Sequence, residues 1–202
     1  MTEEIKNINR DTEDDAELVK AFQSGNRAAF DKLVLRHKDR VFNLCYRFMG
    51  DYQEADDSAQ DVFVKVFRSL KRFRLESSFS TWLYRIAVNT CKNRLKSMEY
   101  RFRKKIVQLD SSEVPGECVH PIKTADESQS PGAELEKKEM LKAVQKAIDS
   151  LPAGQKEVVV LRDIEGLSYE EITNITGYKP GTLKSKLARA RLGLRENLRG
   201  VI

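Results

Sequence analysis

Five basic or amide residues, Arg85, Asn89, Lys92, Asn93 and Lys96, recur at i, i+4, i+7, i+8 and i+11. On a helix this spacing gathers them into one face. Guanidinium, ammonium and carboxamide groups in such a row hold phosphates and hydrogen-bond to base edges. Just upstream lie Phe73, Arg74, the polar run Glu76-Ser77-Ser78 and the aromatic Phe79. Bases, amides and aromatics in one neighbourhood suit unpaired DNA, whose exposed bases stack and offer their edges. Phe79 and Trp82 also fall on an apolar stripe, where core packing is the expected role for both. Asn89 and Asn93 also suit a plain solvated face, which leaves Arg85 and Lys92 as the stronger contact candidates.

A second set stands near the C-terminus. Ser168-Tyr169-Glu170-Glu171 has the form of a capping box, with Ser168 accepting from the backbone of Glu171 and the Glu171 carboxylate reaching back. A short helix with Ile172 and Ile175 inward should end at Gly177 in a left-handed turn. Pro180-Gly181-Thr182 opens another helix, with Leu183, Leu187, Ala190 and Leu194 as its inner stripe. Short capped helix, glycine turn and basic second helix make a helix-turn-helix. Lys184, Ser185, Lys186 and Arg189 stand outward near the start of its second helix, the end that enters a major groove.

Catalytic chemistry has no comparable constellation. No clustered carboxylates lie beside a nucleophile, and only two histidines occur in 202 residues. His37, between Leu33 and Val41 on an apolar stripe, reads as a packed core histidine. Cys118 and His120 lack a second ligand pair nearby, and Cys45 and Cys91 read as small core residues. The expectation is no catalytic residue, no metal, no cofactor and no small-molecule substrate. Three cysteines without paired spacing argue against a disulfide framework and for a reducing cytoplasm. No apolar window approaches a membrane span, and the acidic start Met1-Thr2-Glu3-Glu4 is unlike a secretory signal.

The elements that must position these sets are helical. Phe30, Leu33, Val34, Val41, Leu44, Cys45 and Phe48 recur at three- and four-residue spacing, predicting one long helix that stops near Gly50. Ala55, Ala59, Val62, Phe63, Val66, Phe67 and Leu70 form a second stripe. Phe79, Trp82, Leu83, Ile86, Ala87 and Leu95 form a third. Periodicity fades over about 97–132, a stretch holding Pro115, Gly116, Pro121, Pro131 and Gly132, and returns with Leu135, Met140, Leu141, Val144, Ile148 and Leu151. The expected fold is all-α: two small helical domains, 14–96 and 136–202, joined by a flexible linker over 97–135.

Charge follows the same division. The net figure of +5 says little, but residues 64–105 carry thirteen Lys/Arg against two acids and residues 178–202 carry seven against one. Between them, residues 110–139 hold eight acids and three bases. Two basic blocks separated by an acidic stretch imply two polyanion-binding surfaces.

Phe79-Ser-Thr-Trp-Leu-Tyr-Arg-Ile-Ala-Val-Asn-Thr-Cys-Lys-Asn-Arg-Leu95 resembles region 2.3–2.4 of bacterial extracytoplasmic-function sigma factors of the sigma-70 family, and is most similar to their sigma-E-like members. Gln60 to Phe67 resembles region 2.2. Leu151-Pro152, Val160-Leu161-Arg162, Gly166 to Ile172 and Gly181 to Ser185 resemble region 4. Two motif blocks in the family's order are far more specific than either alone. The resemblance implies that Asp57, Gln60 and Asp61 dock on the clamp helices of the polymerase β′ subunit. It implies that the loop Arg74 to Ser78, with Glu76 and Ser77, forms a pocket for a flipped base of the −10 element. Arg85, Asn89, Lys92 and Asn93 would then face −10 DNA, and Thr182, Lys184, Ser185, Lys186 and Arg189 the −35 element. The implied partners are core RNA polymerase, through its β′ and β subunits, promoter DNA, and an anti-sigma factor, often membrane-anchored. The acidic linker would thread towards the polymerase channel.

Three departures stand out. Ser58 occupies a position usually aliphatic, Thr173 one often alanine, and lysines replace arginines on the recognition helix, weakening bidentate guanine readout. Three rival readings exist. A stand-alone helix-turn-helix regulator explains 151–202 but not the 55–96 block. A nucleic-acid enzyme lacks its catalytic groups, and a membrane-surface protein lacks bulky apolar residues on the outer helix faces.

Overall fold

The computed structural model describes the backbone of residues 14–108 and 131–199, and side chains over 14–99 and 139–199. Helix α1 covers residues 14–23. It is followed by α2 (Ala28–Met49), α3 (Tyr52–Ser69), a 3-10 turn (Leu70–Arg72) and α4 (Phe79–Gln108). The second half contains α5 (Pro131–Asp149), α6 (Ala153–Val159) running into a π turn (Val160–Ile164), α7 (Tyr169–Thr176) and α8 (Pro180–Asn197). No strand occurs among the described residues, so the all-α expectation holds.

Local signals set most boundaries. α2 ends at Gly50, which adopts φ 72° and donates its N–H to the Tyr46 carbonyl. An added Cβ there would also meet the Asp149 carboxylate at 2.8 Å. α3 opens on Asp51, whose side chain accepts from the Glu54 N–H at 2.9 Å, satisfying one of the orphan donors of a helix start. α4 extends past Lys96, where apolar periodicity stops, to Gln108, because the Met, Glu, Arg and Lys that follow are good helix formers. α5 starts at Pro131, so helix occupies both ends of the stretch read from periodicity as a linker. Cys118, His120 and much of the acidic linker lie outside the described residues.

α2, α3 and α4 pack on one another around Leu33, Leu44, Val62, Val66, Leu70, Leu83 and Ala87. Each fully buried aliphatic side chain contributes roughly 1.5–3 kcal/mol. In the second half, α6, α7 and α8 enclose Val158, Leu161, Ile172, Leu183 and Leu187. The two cores touch: α7 packs on α4, and α5 on α2.

Two stripe residues depart from the periodic pattern. Phe67 and Met140 are 44% and 50% exposed. A stripe is buried only where a neighbour covers it. Phe67 sits at its edge, with its ring 5.5 Å from Phe22 and 5.1 Å from Phe30, while α5 buries itself only near Gln145, Ala147 and Ile148. The result is an apolar groove of about 910 Å³ between α2 and α3, lined by Phe30, Val34, Leu35, Phe63, Val64 and Phe67, with Gln60 at its rim.

His37 is a core histidine as expected. Its Nε2 lies 2.7 Å from the buried carboxylate of Asp15, which also accepts from Arg36 at 2.7 Å. Cys45 and Cys91 are free and buried between α2 and α4. A hydrogen bond to Cys91 and burial raise the Cys45 thiol far above its ordinary range, which keeps it unreactive.

Candidate nucleic-acid interface

The loop before α4 is held by α4 itself. The Ser78 hydroxyl oxygen accepts from the Thr81 N–H at 3.1 Å and lies 2.8 Å from the Thr81 hydroxyl, so Ser78 caps the helix. Ser77 donates to the Ser78 carbonyl at 3.4 Å. Arg74 and Glu76 are well exposed, with 4.0 Å between their charged atoms. Between them Leu75 adopts φ 57°, a left-handed conformation that a branched residue rarely takes and that costs on the order of 1 kcal/mol. Its side chain packs against the core, which holds it there. Beneath the loop, Phe73 stacks on Trp82 at 4.6 Å, and Phe79 is buried against both. Phe79 is therefore a core residue, while Trp82 stays half-buried.

Along α4, Arg85, Asn89 and Asn93 are exposed on one face, as the spacing predicts. Lys92 is different. Its side chain is 35% exposed, and its Nζ donates to both oxygens of Glu157 at 3.0 and 3.3 Å. Glu157, on α6, is only 2% exposed and also accepts from the Tyr178 hydroxyl at 2.7 Å. Burial, then the bond to Glu157, pushes the Tyr178 hydroxyl up to about 12.

The acidic face of α3 is not left bare either. Arg94, on α4, reaches Glu54 through Nε, Asp57 at 2.8 Å and Asp61 at 3.6 Å. Gln60 donates to Asp56 at 2.9 Å. Asp57 and Asp61 remain half or more exposed, so each keeps oxygen surface outward. At Ser58, fully buried, the hydroxyl donates to the Glu54 carbonyl at 2.6 Å; the helix accepts this polar atom by bonding it internally.

In the second half the capping box forms as read: Glu171 N–H donates to Ser168 Oγ at 3.2 Å and Ser168 N–H to Glu171 Oε2 at 2.8 Å. Gly177 takes φ 73° and closes α7 on the Thr173 carbonyl. Thr173 bonds its own helix through Glu170 at 2.7 Å. Thr182, Lys184, Ser185 and Arg189 are exposed over the first turns of α8, with Ser185 donating to the Thr182 carbonyl at 2.9 Å. Lys186 instead leans back, its Nζ 4.9 Å over the Tyr178 ring. Arg191 forms a bidentate pair with Asp163 at 3.0 and 2.6 Å, bracing α8 against the π turn.

Sequence reasoning missed Arg94, Glu157, Tyr178 and Glu165. Glu54, Asp57 and Asp61 fall at i, i+3 and i+7, a stripe that needed a counter-charge nearby, and Glu157 is a carboxylate directly preceding the apolar run Val158 to Leu161. Both were readable as groups requiring a partner, but not which one. Glu165 accepts from the Tyr84 hydroxyl at 3.0 Å. Burial raises its carboxyl above the usual range, opposed by the Tyr84 bond and by Arg40 and Arg47. No group of residues suited to hold a metal ion occurs among the described residues.

Comparison with known proteins extends both surfaces. Residues 33–99 match the family model Sigma-70 region 2, and residues 141–194 match Sigma-70, region 4. The chain is 39% identical over 179 residues to the RNA polymerase sigma-H factor of Pseudomonas aeruginosa, covering 89% of this chain and 91% of that protein. It is 36% identical to the ECF RNA polymerase sigma-E factor of Escherichia coli K12, covering 88% and 90%. Among solved structures, CnrH in complex with the cytosolic domain of CnrY is similar, with a TM-score of 0.65 and 27% identity over 92% of this chain and 97% of that one. The sigma factor RpoE bound to the anti-sigma factor NepR, from Bartonella quintana, shares the fold at a TM-score of 0.63 and 24% identity, covering 85% and 97%.

Proposed function

Starting from the premise that this chain belongs to the sigma-70 family, in its extracytoplasmic-function group, we propose how its surfaces divide the work of an RNA polymerase sigma factor. The protein directs core RNA polymerase to promoters and promotes transcription initiation; a stand-alone regulator would leave the match over 33–99 without a role. Core polymerase docks on α3. Gln60 lies on the rim of the apolar groove, and Asp57 and Asp61 stand beside it with their charge half-spent on Arg94, so a helix with apolar and basic residues fits there. Arg94 acts as a positioning residue that holds this acidic row in line.

The −10 element meets α4 and the loop before it. Arg85, Asn89 and Asn93 hold the strand, and Arg74, Glu76 and Ser77 surround an unpaired base. Capturing such bases offsets the few kcal/mol that unstacking costs, so binding energy drives strand opening. Thr182, Lys184, Ser185 and Arg189 meet the −35 duplex in its major groove. An anti-sigma factor is the expected regulator, because CnrH and RpoE are both solved with a partner of that kind or with a partner's cytosolic domain. No described helix is long and apolar enough to cross a membrane.

The observation that carries this reading is the pair of exposed basic faces, one on α4 and one at the start of α8, each mounted on its own core. Run-off transcription with core bacterial polymerase on pooled genomic promoter fragments tests it. New transcripts sharing two elements at fixed spacing are expected. Absence of transcripts, with tight duplex binding by the chain alone, would overturn it.

A further inference from the structure

The two candidate DNA surfaces meet at one place. Lys92, from the α4 face, and Lys186, from the α8 face, point their ammonium groups at the same Tyr178 ring, at 6.0 and 4.9 Å from its centroid. Beneath that ring the Glu157 carboxylate binds the Tyr178 hydroxyl and Lys92 together. A carboxylate this deeply buried is costly unless a counter-charge and hydrogen bonds satisfy it. Here the counter-charge comes from the other half of the molecule, 65 residues away in the chain.

The arrangement is incompatible with simultaneous promoter contact. By their names the −35 and −10 elements lie about 25 base pairs apart, on the order of 80 Å of duplex. Two lysines converging on one ring cannot reach both. The stretch between Gln108 and Pro131 is long enough, at up to about 75 Å when extended, for the halves to part without unwinding α4 or α5.

We propose that Glu157 and Tyr178 form an intramolecular latch, which closes on Lys92 in the free chain and withholds Lys92 and Lys186 from DNA until core polymerase spreads the two halves. This rests on the sigma-factor reading above. Tyr84 and Glu165 form a second, neighbouring tie across the same junction. Opening the latch exchanges the Lys92–Glu157 pair for two phosphate contacts, so the closed chain alone binds nucleic acid weakly and the holoenzyme strongly.

The test uses the full chain carrying Glu157→Gln, which keeps the shape and the Tyr178 partner but removes the charge. Small-angle scattering should show a larger radius of gyration than wild type. Anisotropy with a labelled single strand of mixed sequence should show binding about tenfold tighter, the equivalent of about 1.4 kcal/mol for one lost charged hydrogen bond. Equal scattering and equal binding, with helical content intact by circular dichroism, would overturn the latch. So would a wild-type chain that already scatters as an extended molecule. If Glu157→Gln loses helical content, Tyr84→Phe decides instead, with the same direction and a smaller size expected and no change counting against the proposal. Run-off transcription by wild type, run alongside, separates the two hypotheses: transcripts with an unresponsive Glu157→Gln sink the latch alone, whereas no transcripts sink the sigma reading.

Discussion

The N-terminal bundle and the C-terminal helix-turn-helix mount their DNA-facing residues differently. On α8 the exposed Thr182, Lys184, Ser185 and Arg189 occupy the first turns, behind a proline start and a capped, glycine-ended α7. Everything there is set by contacts a few residues apart. On α4 the exposed Arg85, Asn89 and Asn93 lie in mid-helix, and the loop above them is held by a strained Leu75, a capping Ser78 and a stack of Phe73 on Trp82. The first arrangement suits a duplex whose groove geometry is regular. The second suits a single base that must be pulled out of its stack and given a shaped place. Rigidity is local on one side and tertiary on the other.

Core substitutions should break the comparison most strongly. Leu33→Ala in the bundle and Leu183→Ala in the helix-turn-helix each remove a fully buried side chain and should cost about 2–5 kcal/mol. Because the two cores touch, urea denaturation should show one transition for wild type, and either substitution should move it. Two separate transitions would show that the halves fold independently.

Contact residues come next. Arg85→Ala and Arg189→Ala should each cost about 1–3 kcal/mol of promoter binding. A pre-melted template should restore much of the run-off yield lost by Arg85→Ala, since opening is the step its strand contact supports. The same template should do nothing for Arg189→Ala. Equal rescue of both would erase the functional difference between the faces.

The caps sharpen the contrast at a smaller scale. Ser168→Ala and Ser78→Ala should each cost about 1 kcal/mol in thermal or urea unfolding. Only Ser78→Ala should also weaken single-strand binding, because only that cap sits in the loop proposed to receive a base.

The smallest effect concerns pH at the junction between halves. Burial raises the Glu165 carboxyl, and Arg40, Arg47 and the Tyr84 hydroxyl only partly oppose it. A raised carboxyl takes up a proton more readily in the packed state than when solvated. Packing of the halves is therefore fully favoured below the ordinary carboxylate range and loses that contribution as pH rises through the raised value. Scattering at pH 5 should show a chain at least as compact as at pH 7.5, and replacing Glu165 with Gln should flatten the difference.

The helices, their caps and the identity of both DNA-facing rows were legible in the residues. Gly50, Asp51, Ser168, Glu171 and Gly177 each act within about four positions along the chain, and the stripe through Leu33, Val41, Leu44 and Phe48 needs only the helical period. Composition likewise separated two basic blocks from an acidic stretch between them. Charge on a row of side chains does not reveal whether it faces water or another part of the chain. Lys92 read as one more phosphate contact, and Asp57 and Asp61 as bare docking groups. The tertiary structure decided otherwise, giving Lys92 to Glu157 and the α3 acids to Arg94, pairs 65 and about 40 residues apart. No periodicity encodes such pairs, because they form only when packing brings distant helices within hydrogen-bond reach and leaves a buried charge that must find its opposite.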